Sequence, residues 1–432
     1  MKARALHLRK LQPHVAQRRG SRIAKAMSLI ALPRLPALPA FIVLYAAIYS
    51  GFGASSPFWA LFFQSRGMSA EEVGALLGLG LLARLLAGPP GGYLADMLGA
   101  RTMLASCAAL AACAAAGLLA AAGFLVLALV EMAHAALLAP IPTLADALAL
   151  NAARPRAKRG FEYGWVRGAA SAAFVLGTLA AGQMLRTTGP SAAAWMQAML
   201  LIGVVLVAGL VPPLPAPAQA QRSVRALVAA TELFRIPLFR WLLVVAALIY
   251  GSHAMYDTFA VIRWTAAGIG PGTVSLLWSE SVAAEVVVFL LIGPAVVNRI
   301  GPSGAAALAA AAGVIRWTVM AQTADTTALA LVQPLHGLTF ALLHLACMQL
   351  LAAVVPERSV PATAQALYAF AAGLSTALVM LVSGALYERL GAHAFLLMAI
   401  LCIVALPLTP RLRAAACLQC RARAAHSHCG TP

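Results

Sequence analysis

Charge is what this sequence has least of. Only 10% of its 432 residues are Asp, Glu, Lys or Arg, against roughly a quarter in a soluble domain. That excludes an ordinary water-soluble globule. Acidic groups are scarcer still, 13 against 31 Lys and Arg, so each carboxylate inside an apolar run needs a reason. The seven cysteines form no disulfide framework: Cys107, Cys113, Cys347 and Cys402 lie in apolar runs, where a thiol acts as a small hydrophobe. No nucleophile–base pair or metal-ligand set with convincing spacing appears, so the expectation is a non-enzyme with no cofactor and no metal. Cys417, Cys420, His426, His428 and Cys429 are only loosely metal-like, and a disordered basic tail is the better reading. Residues 1–38 lack an apolar core followed by a small-residue cleavage site, so they do not read as a signal peptide; Met27 is a plausible alternative start.

What is abundant is apolar. Hydrophobic residues make up 62% of the chain and mean hydropathy is +0.87. Apolar runs of about 20 residues recur, each long enough to cross about 30 Å of hydrocarbon as a helix. Their Ala/Leu/Val content says helix rather than barrel. They predict an all-α membrane protein with spans at 41–63, 71–93, 102–121, 124–148, 161–185, 191–211, 239–262, 272–297, 303–322, 327–351, 361–386 and 392–408. A Pro/Ala/Gln-rich basic gap at 212–237 splits these six plus six, the pattern of transporters built from two repeated bundles. The expected organisation is a basic, disordered extension at 1–38, a six-helix bundle at 39–211, a linker at 212–237, a second bundle at 238–410 and a tail at 411–432.

The net charge of +18 is concentrated on one side. The N-terminal segment, the loop with Arg154, Arg156, Lys158 and Arg159, the central loop with Arg222, Arg225, Arg235 and Arg240, and the tail carry most of it. This is the positive-inside pattern. It predicts a multi-pass protein of a bacterial inner membrane, both termini cytoplasmic, with the bilayer rather than nucleic acid as its charged partner and a monomer as its working form.

After the second span comes GGYLADMLGAR, in which Gly92, Asp96, Gly99 and Arg101 follow the spacing of the loop 2–3 signature of the major facilitator superfamily. Glycine permits the tight turn, and the Asp and Arg are expected to act as a conformational latch. GPAVVNRIGPSG takes the equivalent place after the eighth span. Ser69 with Glu72 reads as a capping box opening the second span.

The ionisable residues inside spans mark function. Arg167 stands in FEYGWVRGAASAAFVLG, with Asp146 in the preceding span as its natural partner. Gly164, Gly168 and Ala172 suggest a small-residue ridge that packs Arg167's helix closely. A planar guanidinium suits a carboxylate, so Arg167 is expected to hold a solute carboxylate, Asp146 to hold Arg167 when the site is empty, and Trp59 and Tyr256 to cover the solute. Arg84 is expected to be partly buried, with a structural role as open as a functional one. Glu131 and His134 lie in the fourth span. In the second half, Glu285, His336, Arg316, Asp257, His253 and His344 read as a proton-coupling network.

FIVLYAAIYSGFGASSPFWALFFQSRGMS, TLADALA, YGWVRGAASAAFVLG, SLLWSESVAAEVVVF, GVIRWTVMA and LHGLTFALLHLACMQLL resemble the phenylpropionate permease family of the major facilitator superfamily. The resemblance covers nearly all twelve spans. It implies a proton-linked importer of a small aromatic acid such as 3-phenylpropionate. A more distant likeness to the lactose permease group covers the order Asp146, Arg167, Glu285, Arg316 and His336. In that group matching positions bind the sugar in the first half and couple the proton in the second. The chain departs in placing Gly168-Ala169-Ala170 directly after Arg167, and Thr339 where that group has a proton-carrying Glu. The expected function is proton-coupled import of a small aromatic monocarboxylate by alternating access. A sugar- or nucleoside-like symporter and an efflux antiporter are the alternatives; the absence of proline from the fifth span counts modestly against export.

Overall fold

The computed structural model describes residues 36–153, 161–212, 231–354 and 361–428. The N-terminal extension through residue 35, the basic loop at 154–160, most of the linker and Cys429 lie outside them. Nine helical stretches in the described residues are long and apolar enough to cross a membrane; two of these, Pro271–Gln322 and Thr363–Leu418, are 52 and 56 residues long and each contains two crossings, and the shorter Ala192–Ala208 adds another. The described residues therefore form twelve crossings, as the apolar runs predict.

The first half holds α1 (Ala37–Ser55, resuming at Trp59–Ser65), α2 (Ala70–Leu98), α3 (Ala100–Ala120), α4 (Phe124–Leu138 continuing as Pro140–Ala153), α5 (Tyr163–Thr188) and α6 (Ala192–Ala208). The second holds α7 (Pro237–Gly251 and Ala254–Ala266), then α8, which starts as Pro271–Val287 and passes through a π-turn at Val288–Ile292. The helix Gly293–Gln322 that follows is broken at Gly301 (φ 74°), so it supplies the end of α8 and the whole of α9. α10 (Thr326–Val332, then Leu343–Val354) contains a π-turn at Gly337–Leu342; α11 is Pro361–Leu390 and α12 is Phe395–Ala405. A further helix, α13, runs over Thr409–His428. The expected disorder of the tail is thus corrected: its Ala/Arg/Leu content favours helix. The side chains beyond Leu418, with most of the Cys/His cluster, lie outside the described set.

The halves repeat each other. Gly99 (φ 89°) turns α2 into α3 as Gly301 turns α8 into α9. Arg66, just past the end of α1, donates to the Ala121 carbonyl closing α3, and Arg263 in the last turn of α7 donates to the Ala321 carbonyl near the end of α9. Both place a cation on the negative end of a helix dipole. Ser69 and Glu72 form the expected capping box on α2.

Close packing within the first half comes from glycines other than the expected ones. Gly164 and Gly168 have nothing within 4 Å of where a Cβ would stand, so no ridge packs there. Instead Gly53 on α1 lies against the Phe174 backbone and Gly177 on α5 against the Ser50 backbone. Thr178 Oγ1 donates to the Gly53 carbonyl at 2.9 Å, and Ser50 Oγ to the Ala173 carbonyl at 3.1 Å. Valine at 177 would drive a side chain into backbone, an overpacking cost of about 1–3 kcal/mol. We expect Gly177→Val to lower the thermal unfolding midpoint of purified protein while Gly164→Ala leaves it unchanged; equal effects would show this contact to be unimportant.

Twelve crossings put both ends of the bundle chain on one side of the membrane, here called the termini side. The two halves meet on the far side. Gly74 and Gly78 of α2 pack on Gly384 and Leu381 of α11, and Gly182 of α5 packs on Ser275 and the Pro271 carbonyl of α8. Contact continues along α2 to Leu85, which lies on Gly373; Gly88 and Gly92 beyond it meet nothing within 4 Å. The space between the halves is thus closed on the far side and open towards the termini side.

Candidate functional site

A cavity of about 680 Å³ lies between the halves, within the usual range for small-molecule sites. Two broken helices border it. Pro57 cannot continue the α1 hydrogen-bond ladder, and α1 breaks over Ser56–Phe58. α7 breaks at Ser252–His253, where Ser252 Oγ turns back to the Ile249 carbonyl at 2.6 Å and accepts from Trp317 Nε1 at 3.0 Å. Discontinuous helices at the interface of two repeats are where transporters place their sites.

The cation on the cavity wall is Arg84. It lies at the middle of α2 and points into the cavity, with its guanidinium 5.7 Å from the Phe52 ring centre. Among the described residues it makes no ion pair and no hydrogen bond. Glu131 and His134 of α4 and Trp59 of α1 line the same wall.

Arg167 is elsewhere. It is the fifth residue of α5, roughly 6 Å from the helix start at 1.5 Å per residue, and so sits at the termini end rather than at mid-depth. It does meet Asp146, at 3.6 Å with both side chains partly exposed, and its Nη1 donates to Tyr49 Oη at 2.8 Å. Asp146 in turn accepts from Tyr45 and Tyr163 Oη at 2.5 and 2.6 Å. Neither Arg167 nor Asp146 is among the residues lining the cavity. The pair ties α1, α4 and α5 together at the mouth, and three tyrosines that the sequence reading passed over satisfy it. Tyr45 and Tyr49, four residues apart on α1, were the available signal, since i,i+4 residues share a face.

The second half brings its residues together. Arg316 is fully buried, with its guanidinium 4.2 Å from the Tyr256 ring centre and 4.6 Å from that of Trp317. It donates to His336 Nδ1 at 2.7 Å and to Gln333 Oε1 at 3.0 Å. His336 Nε2 lies 2.7 Å from Glu285 Oε1. Arginine only donates, so Nδ1 must accept and the single ring proton sits on Nε2, aimed at the Glu285 carboxylate. The chain Arg316–His336–Glu285 is therefore a guanidinium and a carboxyl group bridged by a neutral imidazole. Both helices that carry the contact enter π-turns immediately beyond it, a feature frequent at functional sites. Gly337 lets them approach, since a Cβ there would fall 2.6 Å from the Ala284 carbonyl oxygen.

Asp257, His253 and His344 line the cavity. His253 Nε2 lies 3.0 Å from Thr339 Oγ1 and its Nδ1 donates to the Ile249 carbonyl. Thr339, which replaces the expected Glu, is thus the partner of a second histidine. Tyr256 is not exposed to solute: it stacks on Trp278 at 4.7 Å and accepts from Gln333 Nε2, so it covers Arg316 instead. Of the residues expected to form a latch, Arg101 donates to the Val211 carbonyl beyond α6 at 3.2 Å, Gly99 makes the turn, and Asp96 and Gly92 are exposed on the open side.

Residues 40–398 match the family described as MFS_1 like. The chain belongs to this family. As a major facilitator protein it is 32% identical over 375 residues, 85% of this chain and 96% of the relative, to the "Probable 3-phenylpropionic acid transporter" of Escherichia coli (strain K12). Among solved structures it resembles the nucleoside transporter NupG, with a TM-score of 0.75 at 16% identity over 87% of this chain and 98% of that one. It also resembles an auto-inhibited peptide transporter of the POT family, with a TM-score of 0.66 at 14% identity over 88% of this chain and 96% of that one. These likenesses carry the fold: two six-helix bundles of a multi-pass membrane transporter. A small-molecule transporter rather than an enzyme follows from the family and the relative.

Proposed function

We propose that this transporter imports a small aromatic monocarboxylate together with a proton, across a bacterial inner membrane. The observation that carries the reading is Arg84, a mid-membrane guanidinium on the cavity wall that makes no ion pair or hydrogen bond among the described residues, Glu131 being the nearby carboxylate on the same wall. A cation at that depth costs from ~3 to more than 10 kcal/mol by different estimates, and a visiting carboxylate offsets it with charge-assisted, fork-shaped hydrogen bonds. Phe52 and Trp59 supply ring surface beside it. The relative named for 3-phenylpropionic acid supports the aromatic acid.

Glu285 and His336 supply the proton's place. A carboxylate moving alone through low dielectric is costly; a carboxylate and a proton together are neutral. Protonating Glu285 removes its negative charge, which weakens the hydrogen bond it accepts from His336 and loosens the link between α8 and α10. The basic segments of the chain put the termini side in the cytoplasm, so the open cavity faces inward, and Gly92, Asp96, Gly99 and Arg101 latch the halves when that side closes. Arg167 and Asp146 hold the mouth of the first half.

Inside-neutral vesicles given labelled 3-phenylpropionate should accumulate it when the outside is acidified, and lose it on adding a protonophore. Accumulation of no monocarboxylate under that gradient overturns the proposal. Accumulation of a nucleoside or sugar instead would favour the symporter alternative, and acid-driven expulsion the exporter.

A further inference from the structure

We propose that the Glu131–His134 pair on α4 forms a subsite for a hydroxyl group on the ring of the transported acid. The inference rests on the aromatic-acid reading and deepens it. Glu131 is 5% exposed and His134 1% exposed, yet both line the cavity. His134 Nδ1 lies 3.2 Å from Glu131 Oε2. The carboxylate accepts, so Nδ1 carries the ring proton and Nε2 presents a lone pair. Nε2 is buried and, among the described residues, has no hydrogen-bond partner.

A buried acceptor left empty is unfavourable, and among the described residues no side chain fills it. The Ser55 proton is spent on the Gly51 carbonyl at 2.9 Å, and Trp59 packs its ring against the imidazole with centroids 5.4 Å apart. The repeat sharpens the contrast. The same number of residues separates Gly99 from Gly301, Phe124 from Thr326, and His134 from His336, so the two histidines hold the same register in α4 and α10. In His336 both nitrogens are engaged by protein, by Arg316 and Glu285. In His134 one is left for a donor from the cavity.

The position suits an arylalkanoate. A Cβ at Gly80 would lie 3.0 Å from Glu131 Oε1, and Gly80 is one turn, about 6 Å, from Arg84 on the same face of α2. The carboxylate anchor and the empty acceptor are therefore spaced along one wall on the scale of a ring with a short side chain. A phenolic hydroxyl, a good donor, answers an imidazole lone pair backed by a carboxylate.

The test is calorimetric titration of purified wild-type protein with 3-phenylpropionate, its ring-hydroxylated derivatives and the matching methoxy derivatives, which lack the donor. Binding at least tenfold tighter for one hydroxylated acid than for both its parent and its methoxy form supports the subsite. In His134→Phe that ratio should fall to near one, and His134→Gln, which restores an acceptor, should recover part of it. Equal affinities for the three acids in the wild type overturn the subsite while leaving the aromatic-acid reading intact. So does a ratio that survives in His134→Phe, or tightest binding of a ring carboxylated in place of hydroxylated. If no aromatic acid binds at all, the underlying function fails with it.

Discussion

Replacing Arg84 by glutamine should weaken binding of a small aromatic carboxylate about 30-fold or more. Removing one partner of a desolvated, hydrogen-bonded charge pair costs about 2–5 kcal/mol, and 1.4 kcal/mol is tenfold. Arg84→Lys should fall between: it keeps the charge but loses the bidentate fork. The fold should survive either change, because Arg84 makes no ion pair or hydrogen bond among the described residues and its α2 neighbours at Gly74 and Gly78 make the contact with α11. Calorimetric titration of purified protein reads the loss directly, and a thermal unfolding curve checks the fold. Arg167→Lys is the informative companion. If Arg167 holds the mouth rather than the solute, its loss should alter transport rate more than affinity. Wild-type affinity in Arg84→Gln together with lost affinity in Arg167→Lys would reverse the assignment and return the carboxylate to α5.

Glu285→Gln should abolish uphill transport while sparing exchange. Glutamine keeps an oxygen acceptor for His336 Nε2 and removes the titration. In wild type, a gradient of one pH unit is worth about 1.4 kcal/mol, enough for about tenfold accumulation by a one-proton symporter. In Glu285→Gln the ratio of internal to external solute should settle at one whatever the gradient, while labelled solute still exchanges across the vesicle wall. Persistent accumulation in the variant would remove Glu285 from the proton path; the same loss appearing in Asp257→Asn alone would move the proton to α7. Arg316 makes a poor test of coupling, because it is fully buried and packed against two rings, and its removal would leave Gln333 and His336 unsatisfied.

The twelve crossings were legible because membrane depth imposes length and composition on every span, and the halving at the linker was legible because polar gaps are rare here. The second-half network was also legible in part: Glu285, Arg316 and His336 stand alone in apolar runs, and the only way to bury such groups is together. Depth and facing were less accessible. Arg167 attracted notice as a charge within an apolar stretch, but a run of letters does not say that its helix begins at Tyr163 and leaves it near the boundary. Arg84 was visible at the middle of a span, yet what distinguishes it is that it makes no ion pair or hydrogen bond among the described residues, and that is a fact of tertiary arrangement. Gly164 and Gly168 had the right spacing for a packing ridge but face open space, whereas Gly53 and Gly177, far apart in the chain, make the close contact. Tyr256 shows the same limit: an aromatic beside a histidine reads equally well as a lid for solute or for an arginine.

The repeat places opposite charges at one register. The same number of residues separates Ser69 from Gly270, the N-caps of α2 and α8, and Arg84 from Glu285. Were both positions arginine, an anion between the halves would feel two equal pulls and could lie either way round. Were both glutamate, it would be expelled. With one of each, the gap between the bundles has a polarity running across the bundle rather than through the membrane. On the reading proposed above, a bound anion keeps its carboxylate at Arg84 and lays its ring along the first-half wall towards Glu131 and His134, away from the second-half carboxyl group.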